Sequence, residues 1–485
     1  MSQPARVLLL TPNWRWDETP LPVDTLTVPI APPLEFAYLS AGLRQAADVH
    51  VVDAYASGLD EEQLSKLVSD IDPTAVVVTT TPSLLYWRCP PMTVAAPLRA
   101  INVIKQACPA PVTIIGPHGT ASPRWALERT GADWCYRGAF ERELPRLLIS
   151  GDYGASDHVA SGDGRLGTTS VLAARDLPAA GFRWLDWDAG YEPHMWSVTP
   201  EERAVAAECR RGLLLEASRG CPWSCAYCAK APVRDSYGRR PADMVEAEIE
   251  QVSELGADYV FFIDETFNIT GPEFVHLLGL LHSRKLRFGF QGRPDLITDQ
   301  IAVQLSEAGC VYVELGIDTV SDTLSSGIGR RLSLERAHAG LQACREHIPL
   351  VRFNRLNLQT ADYVELLGSA PEDWEYPPDP AFPYPGASLG DLVMQNYGYE
   401  AFDWDFARRY SWWLRIEVFL QRNSCAMDRE DVRNLQKAFL ELPEHTVYAL
   451  AATLHSAVQS PAEFHSLNKI VMRKGPGVRT RSARL

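Results

Sequence analysis

The centre of the chain reads Cys221-Pro-Trp-Ser-Cys225-Ala-Tyr-Cys228, directly after the apolar run 213–217 and the turn-like Ser218-Arg219-Gly220. Three thiols therefore lie four and three residues apart on one short loop after a predicted strand, with no fourth cysteine or histidine close by. Thiolates in this arrangement suit a cubic iron-sulfur cluster in which protein sulfur binds three irons and the fourth iron stays open. The stretch predicts a 4Fe-4S centre with Cys221, Cys225 and Cys228 as metal ligands.

The same stretch resembles the signature of the radical S-adenosylmethionine (SAM) enzymes, Cys-x-x-x-Cys-x-aromatic-Cys, with Tyr227 as the aromatic residue. An open iron is a site that the amino and carboxylate groups of SAM can chelate. The resemblance implies that Tyr227 packs near the adenine of SAM. It also implies that an electron from the cluster yields a 5'-deoxyadenosyl radical, which abstracts hydrogen from unactivated positions, so that the three cysteines form the catalytic centre.

Three other interpretations compete for these cysteines. A structural zinc site normally takes four ligands, often as two separated Cys-x-x-Cys pairs, and the sequence has no second pair. Cys225 and Cys228 alone have the spacing of a thioredoxin-like redox pair, but that motif lacks Cys221 and the aromatic at 227. Chance clustering of core cysteines is the third, and the turn residues Gly220 and Pro222 argue against a buried strand here.

The composition narrows the class of protein. At 485 residues the chain is long enough for two or three domains. A formal charge of -15 disfavours nucleic-acid binding, which needs clustered Lys and Arg; the basic tail 473–484 is interpreted as a solvated end. No stretch approaches the roughly 18 apolar residues of a membrane span, and 7–10 is too short for a signal-peptide core. The other cysteines occur singly, as reduced core thiols do, so a cytoplasmic protein is expected.

Residues 1–150 alternate short β-branched runs with helical patterns and predict an α/β, doubly wound parallel sheet. The expected strands are 7–10, 49–52, 75–78, 112–115 and 134–136. The expected helices are 34–44, 61–69, 94–105, 123–128 and 141–148. Ligands of such sheets bind at the carboxyl ends of the strands.

Three motifs make this part resemble the cobalamin-binding domain of cobalamin-dependent radical SAM enzymes. They are Pro32-Pro33-Leu-Glu-Phe-Ala-Tyr-Leu after the first strand, Gly116-Pro117-His118-Gly119 after the fourth and Arg137-Gly138-Ala-Phe-Glu141 after the fifth. The resemblance implies a cobalamin-binding domain over 1–150, with Gly116, Pro117, His118, Gly138 and Glu141 at the cofactor. His118 has the alternative of being only a turn residue.

The motif Asp-x-His-x-x-Gly, whose histidine ligates cobalt in the wider cobalamin-binding group, is absent, as is common in the radical SAM branch. Asp48-Val-His50 is followed by Val51-Val52-Asp53 and lies within a predicted strand. The candidate for the lower face of the corrin is 79–88, where hydroxyls of Thr79, Thr80 and Ser83 can hydrogen-bond the cofactor and Tyr86, Trp87 and Arg88 can cover it. Packing of these aromatics on a domain interface is the alternative.

Residues 151–205 are expected to form a linker, and 206–370 an incomplete parallel β/α barrel. Its expected strands are 259–263, 287–291, 312–315 and 350–353; its expected helices are around 245–255 and at 273–281, 301–308 and 334–347. Active residues of such barrels follow the strands, which points to Asp264, Glu265, Gln291, Arg293 and Glu314. By resemblance these bind the amino group, carboxylate and ribose of SAM, although Asp264 and Arg293 have a structural alternative as caps or salt bridges.

The resemblance weakens after about 355, and 371–485 is expected to be mostly helical. This part is rich in aromatic residues that can form the wall of a planar or apolar ligand site. The candidates are Trp374, Tyr384, Trp404, Trp412 and Trp413, with Arg415 as an anchor for an anionic group. The alternative is that these rings fill the core between the barrel and the C-terminal helices.

Together the motifs predict a cobalamin-dependent radical SAM methyltransferase acting on an unactivated carbon of a small metabolite. The family implies the cofactors 4Fe-4S cluster, SAM and cobalamin as methylcobalamin, and an external electron donor such as a flavodoxin or ferredoxin. A non-methylating cyclisation or rearrangement is the first alternative, and a cobalamin-binding sensor with a relic cluster loop is the second. Neither nucleic acid nor a membrane is an expected partner.

Overall fold

The computed structural model describes residues 4–16, 30–195, 199–229, 236–319, 321–368, 378, 380–399, 403–422, 428–447, 449–450 and 469–473. Its α/β class, with two mainly parallel sheets followed by helices, confirms the predicted fold class. None of the described helices combines the length and the apolar character that crossing a membrane requires.

The first sheet has the strand order β2-β1-β3-β4-β5-β6. Its strands are β1 (Ala5–Thr11), β2 (Ala47–Asp53), β3 (Ala75–Thr79), β4 (Val112–Ile115), β5 (Trp134–Tyr136) and β6 (Val159–Ser161). The first five pair in parallel, and β6 joins β5 antiparallel. Residues 7–10 of β1, 75–78 of β3 and Val112, Ile114 and Ile115 of β4 are apolar and buried, because helices cover both faces of the sheet.

The helices of this unit are α1 (Leu34–Leu43), α2 (Glu61–Ile71), α3 (Ala95–Ala107), α4 (Pro117–Ala121), α5 (Pro123–Thr130) and α6 (Leu144–Ser150). α1 and α6 contribute to the core on one face, while α2, α3 and α5 contribute to the core on the other. Since β1 lies between β2 and β3, the chain changes direction across the sheet at β1 and β3. Ligands of open α/β sheets bind outside the strand ends at such a point.

The second sheet has the order β14-β13-β12-β11-β10-β7. Its strands are β7 (Gly212–Leu215), β10 (Tyr259–Phe262), β11 (Arg287–Gly292), β12 (Cys310–Asp318), β13 (Leu350–Arg355) and β14 (Lys469–Arg473); β8 (Ser218–Arg219) and β9 (Gly238–Arg239) form a separate ribbon. Five strands run parallel and β14 runs antiparallel. A closed barrel of this type has eight parallel strands, so the described part is an open barrel, as predicted.

The helices around this sheet are α7 (Pro200–Ala207), α8 (Ala242–Glu254), α9 (Pro272–Arg284), α10 (Asp299–Glu307), α11 (Asp322–Gly327) and α12 (Leu334–His347). The segment expected to be only a linker packs closely against the barrel. Glu202 of α7 pairs with the buried Arg352 of β13 at 3.2 Å, and Trp187 donates its indole N–H to the Leu255 carbonyl at 2.9 Å. β6 and α7 were not predicted, because each is too short to show a period.

The C-terminal helices are α13 (Ala361–Leu367), α14 (Ser388–Asn396), α15 (Trp404–Arg422) and α16 (Arg429–Glu441). They bury the aromatic residues of α15 in a separate core. α15 also reaches the first sheet's helices, because the Trp404 indole N–H donates to Ser122 Oγ at 3.1 Å and that of Trp125 donates to Asp405 at 3.1 Å. The prediction of helices here was incomplete, since β14 adds a strand at 469–473.

Candidate active site between the two sheets

A cavity of about 450 Å³ opens at the carboxyl ends of the second sheet's strands. Most of its wall comes from four regions: the cysteine loop, the ends of β11, β12 and β13, the loop after β3, and the segment before α14. The lining includes Leu85, Tyr86, Arg88, Cys89, His194, Cys221, Trp223, Cys225, Tyr227, Cys228, Glu265, Gln291, Glu314, Asp318, Arg330, Asn354, Phe382 and Tyr384. Groups from both sheets and from the C-terminal part therefore meet in one space.

The cysteine loop is fixed by backbone hydrogen bonds to distant segments. The Ala226 amide donates to the Ile328 carbonyl and the Leu389 amide donates to the Ala226 carbonyl, both at 2.8 Å. Gly329 has a φ of +73°, and a Cβ there would overlap the Ser224 carbonyl, so this close approach requires glycine. The residue after α11 and the first turn of α14 thus set the shape of the loop.

The three cysteine thiols are half-buried and line the cavity. Sulfurs around a single tetrahedral zinc, with bonds of about 2.3 Å, lie within about 4 Å of one another. Among the described residues, the one group of three or more donor atoms within 4.8 Å of one another is Asp299, Glu346 and His347, on the surface. At least one pair of the three cysteine sulfurs is therefore more than 4.8 Å apart, which is wider than a single zinc ion holds its ligands.

Tyr227 takes part in a buried polar contact behind the loop. Its hydroxyl donates to Asp318 Oδ2 at 2.6 Å, and Arg330 Nε lies 2.7 Å from the same carboxylate oxygen. Burial raises the pKa of the Tyr227 hydroxyl well above its usual value, and the neighbouring Asp318 carboxylate raises it further. Sequence reasoning missed Asp318 and Arg330; the position of Asp318 at the end of β12, four residues after Glu314, was the available signal.

The two acidic residues after β10 have different environments. Asp264 is fully buried and accepts from the Ala217 amide and the Ser218 hydroxyl. Burial raises its pKa to about 6. Glu265 lines the cavity and accepts from the Gly220 amide at 2.9 Å. The placement favours the structural alternative for Asp264 and leaves Glu265 able to reach a ligand.

Arg293 lies outside the cavity lining and is buried. Its guanidinium forms two parallel hydrogen bonds to Asp295, at 3.0 and 2.9 Å, and lies over the Trp223 ring at 4.0 Å. An arginine already committed to a bidentate pair and a ring face holds the cysteine loop through Trp223. Its predicted contact with SAM therefore gives way to the structural alternative.

Gln291 and Glu314 connect the barrel to the first sheet's loop. Arg88 donates to Gln291 Oε1 at 2.5 Å, and Gln291 Nε2 donates to Glu314 Oε2 at 3.0 Å. Glu314 also accepts from the Tyr312 hydroxyl. His194 belongs to the segment 151–205 that was predicted to be a linker, and it lines the cavity. Its Nε2 lies 4.0 Å from Glu314 Oε1. Sequence reasoning missed His194, because nothing in its local sequence distinguishes it.

The residues predicted after β3 divide into two groups. Tyr86 and Arg88 line the cavity, whereas Trp87 is buried against Phe140, with ring centroids 5.6 Å apart. Thr79, Thr80 and Ser83 are buried at the start of the loop. Gly116, with a φ of +136°, approaches Thr80 so closely that a Cβ would overlap its hydroxyl, which explains the glycine after β4.

His118 is a buried residue that uses both ring nitrogens. Nε2 lies 2.7 Å from the Pro91 carbonyl, which can only accept, so Nε2 carries the proton; Nδ1 then accepts from the Thr80 hydroxyl at 3.1 Å. Burial lowers the pKa of His118 to about 4. The ring therefore holds the loop after β3 against α4, and the turn-residue alternative fits better than cofactor contact. Pro117 begins α4 and is buried beside it.

Gly138 and Glu141 also have protein partners. The Gly138 amide donates to the Thr120 hydroxyl at 3.0 Å. Glu141 Oε1 lies 2.6 Å from Nη1 of Arg219, which also pairs with Glu216 at 2.6 Å. Both residues thus have structural contacts within the protein, their predicted contact with cobalamin stays a prediction, and Arg219 connects the first sheet to the residues just before the cysteine loop.

Of the five aromatic candidates, Tyr384 lines the cavity. Trp404, Trp412 and Trp413 lie in the C-terminal core, as in the alternative interpretation. Trp374 lies outside the described residues. The Arg415 guanidinium is positioned over the ring of Phe382, a residue of the cavity lining, at 5.1 Å.

Replacing Tyr384 and Trp413 separately by alanine should give opposite results. Trp413 is fully buried, so its truncation is expected to lower the free energy of unfolding by about 3–5 kcal/mol. Tyr384→Ala should cost much less stability and reduce substrate turnover at least tenfold. Chemical denaturation and product assays check both. Equal destabilisation, with no selective loss of turnover in Tyr384→Ala, would show that Tyr384 belongs to the core.

Residues 215–360 match the family model of the Radical SAM superfamily, so the prediction of a radical SAM domain is confirmed. An uncharacterized methyltransferase of Pyrococcus horikoshii is 25% identical over 315 residues, which are 63% of this chain and 65% of that protein. The anaerobic magnesium-protoporphyrin IX monomethyl ester cyclase of Rubrivivax gelatinosus is 24% identical over 455 residues, 85% of this chain and 75% of that protein. The chain thus spans just under two thirds of the archaeal protein.

Two solved structures share the overall fold. The radical SAM methyltransferase TsrM from Kitasatospora setae, with cobalamin and a 4Fe-4S cluster bound, has a TM-score of 0.57 at 20% identity, over 81% of this chain and 75% of its own. The cobalamin-dependent SAM radical enzyme OxsB, with aqua-cobalamin and SAM bound, has a TM-score of 0.56 at 15% identity, over 81% of this chain and 56% of its own. The predicted fold of the cobalamin-dependent radical SAM enzymes is confirmed.

Proposed function

We propose that this chain, which contains a radical SAM domain within the fold of the cobalamin-dependent enzymes, transfers a methyl group to an unactivated carbon of a small molecule. The observation that carries the proposal is the shared cavity. Cysteines of the cluster loop, polar side chains at the barrel strand ends and the loop after β3 of the first sheet all line it. A space reached by both sheets is where two cofactors and one substrate can meet.

Buried polar atoms support cobalamin at the first sheet. Within the described residues, Thr11 Oγ1 and Trp14 Nε1, both just at the exit of β1, are buried without a hydrogen-bond partner. Buried polar groups are normally paired, so these atoms fit a site that a polar ligand completes. Thr11 ends β1 and Trp14 follows it, and β1 borders the point between β1 and β3 where ligands of such sheets bind. The residues present therefore fit the cofactor.

Bound cluster and SAM would supply the radical, and bound cobalamin would carry the methyl group. The protein's own contribution is to hold and separate these groups. Cys221, Cys225 and Cys228 would bind the cluster, while Glu265 and Glu314 offer carboxylates to the amino group and ribose hydroxyls of SAM. Leu85, Tyr86 and Arg88 would meet the corrin from the first sheet, and Phe382 and Tyr384 would exclude water from the substrate.

A second candidate is a cyclisation or rearrangement without methyl transfer. The cyclase of Rubrivivax gelatinosus matches over 85% of this chain, a larger share than the methyltransferase of Pyrococcus horikoshii, which matches over 63%. Both candidates use the same cavity and need an electron donor for the cluster, for which a flavodoxin or ferredoxin is proposed. Their products, rather than their sites, distinguish them.

The products of SAM separate the two candidates. Methyl transfer should release S-adenosylhomocysteine and 5'-deoxyadenosine in comparable amounts, because one SAM supplies the methyl group and another the radical. Anaerobically reconstituted protein, given labelled SAM and small-molecule extracts, is assayed for both compounds by chromatography. Sustained turnover with 5'-deoxyadenosine and no S-adenosylhomocysteine would exclude the methyltransferase and favour the cyclase.

A further inference from the structure

Glu35 occupies an unusual position for a carboxyl group. It lies in the first turn of α1 and is fully buried. Its Oε2 accepts a hydrogen bond from the Leu84 amide at 3.0 Å. α1 follows β1, and Leu84 follows β3, so Glu35 bridges the two connections that flank the change of direction between β1 and β3.

The second oxygen of Glu35 is available for a ligand. Within the part of the chain that the structure describes, Oε1 is buried and no hydrogen-bond partner reaches it. Thr11 Oγ1, at the end of β1, is likewise buried without a hydrogen-bond partner among the described residues. Leaving a buried polar atom unpaired is costly. Thr11 ends β1 and Glu35 follows it, and ligands of such sheets bind at the carboxyl end of this strand, so the two atoms fit a site that a ligand completes.

The protonation state of Glu35 determines what it can offer. Burial raises its pKa to about 7, and hydrogen bonds from the backbone amides of Glu35 and Leu84 and from the Thr79 side chain only partly oppose the increase. Since Oε2 accepts from Leu84, the proton of the neutral acid resides on Oε1, which then becomes a donor. Among the described residues, the titratable group that faces Glu35 is Asp53 at the end of β2, whose own pKa burial raises to about 7 and whose Oδ1 accepts from the Tyr55 and Ala56 amides.

The part of the cofactor that reaches Glu35 follows from the path of the loop after β3. In the proposed site the corrin ring would face the cavity, which Leu85, Tyr86 and Arg88 line. Glu35 is absent from that lining and contacts the loop at Leu84, inside the first unit. Only a portion of cobalamin that extends away from the ring into the sheet can meet it, and the nucleotide tail, with its ring nitrogen, ribose and phosphate acceptors, is that portion.

We propose that Glu35 donates a hydrogen bond from Oε1 to the nucleotide tail of cobalamin and selects complete cobalamin over corrinoids that lack the tail. The inference rests on the proposed function, since it presupposes that the first sheet binds cobalamin. It assigns to the Pro32-Pro33-Leu-Glu motif a recognition role that is separate from the chemistry in the cavity.

Binding of two corrinoids to the full-length protein tests the proposal. Cobalamin and cobinamide, which lacks the nucleotide, are titrated against protein freed of corrinoid, with absorbance or protein fluorescence as the readout. Glu35→Leu is expected to weaken cobalamin binding about tenfold, as loss of one buried hydrogen bond should, and to leave cobinamide binding unchanged. Glu35→Gln keeps an N–H donor and should bind cobalamin within about threefold of the wild-type protein.

The pH dependence supplies an independent readout. The wild-type protein's affinity for cobalamin should fall as pH rises through about 7, because the donor proton is lost, while Glu35→Gln and cobinamide binding stay flat. Equal effects of Glu35→Leu on both corrinoids, or a pH-independent wild type, would overturn the inference alone. A wild-type protein that binds neither corrinoid would overturn the proposed function as well.

Discussion

Simultaneous replacement of Cys221, Cys225 and Cys228 by alanine is expected to abolish activity and remove the iron. The three thiols line one cavity, and among the described residues no other cysteine lines it except Cys89. Without protein thiolates the cluster has no ligands, so iron should fall from about four atoms per chain to background. Metal and sulfide analysis of anaerobically reconstituted protein, together with 5'-deoxyadenosine release, measures the loss.

Cys344→Ala provides the matched control. Cys344 is buried in α12, away from the cavity lining, so this variant should keep its iron and its turnover. Retention of full iron by the triple variant would contradict the assignment of the cluster loop. Loss of iron in Cys344→Ala as well would show that the measurement reports general misfolding.

Arg219→Met should lower the free energy of unfolding far more than removal of an exposed arginine. Arg219 is 2% exposed and joins Glu141 and Glu216, at 2.6 Å each. Its removal leaves two carboxylates buried without their cation. Breaking a buried pair in this way costs about 3–5 kcal/mol, which denaturant unfolding monitored by circular dichroism should reveal.

The control for Arg219→Met is Arg284→Met. Arg284 pairs with Glu250, but their side chains are 41% and 46% exposed. An exposed pair contributes at most about 1 kcal/mol, so the same substitution there should change the free energy of unfolding very little. Similar losses in the two variants would mean that the Arg219 contacts contribute no more than an exposed pair.

The structure also changes how the predicted site residues are understood. Cys221, Cys225, Cys228, Tyr227, Glu265, Gln291 and Glu314 meet at the cavity, and their roles toward the cofactors remain proposals. Asp264, Arg293 and His118 occupy the same kind of position, but their polar atoms pair with protein partners, and Glu141 pairs through Oε1 with Arg219. The sequence shows that a polar residue follows a strand, and it does not show which neighbour will pair with that residue.

The residues missed by sequence reasoning depend on contacts between distant parts of the chain. Asp318 meets Tyr227 across 91 residues, and His194 approaches Glu314 from a segment without a recognisable period. Neither contact leaves a local pattern, because each arises only when distant segments pack together: the cysteine loop against the end of β12, and the segment before α7 against the open barrel.

The sequence by itself determined the cluster loop, the alternation of strands and helices and the existence of two parallel sheets. Those features are local: cysteine spacing on one loop and hydrophobic periodicity within single elements are complete before any distant contact forms. Only the tertiary structure decided which strand-end side chains face the cavity, which tryptophans fill the core and that Glu35 has an unpaired oxygen between β1 and β3. Such choices depend on the burial and pairing of each polar group, and these are properties of packed neighbours far apart in the chain.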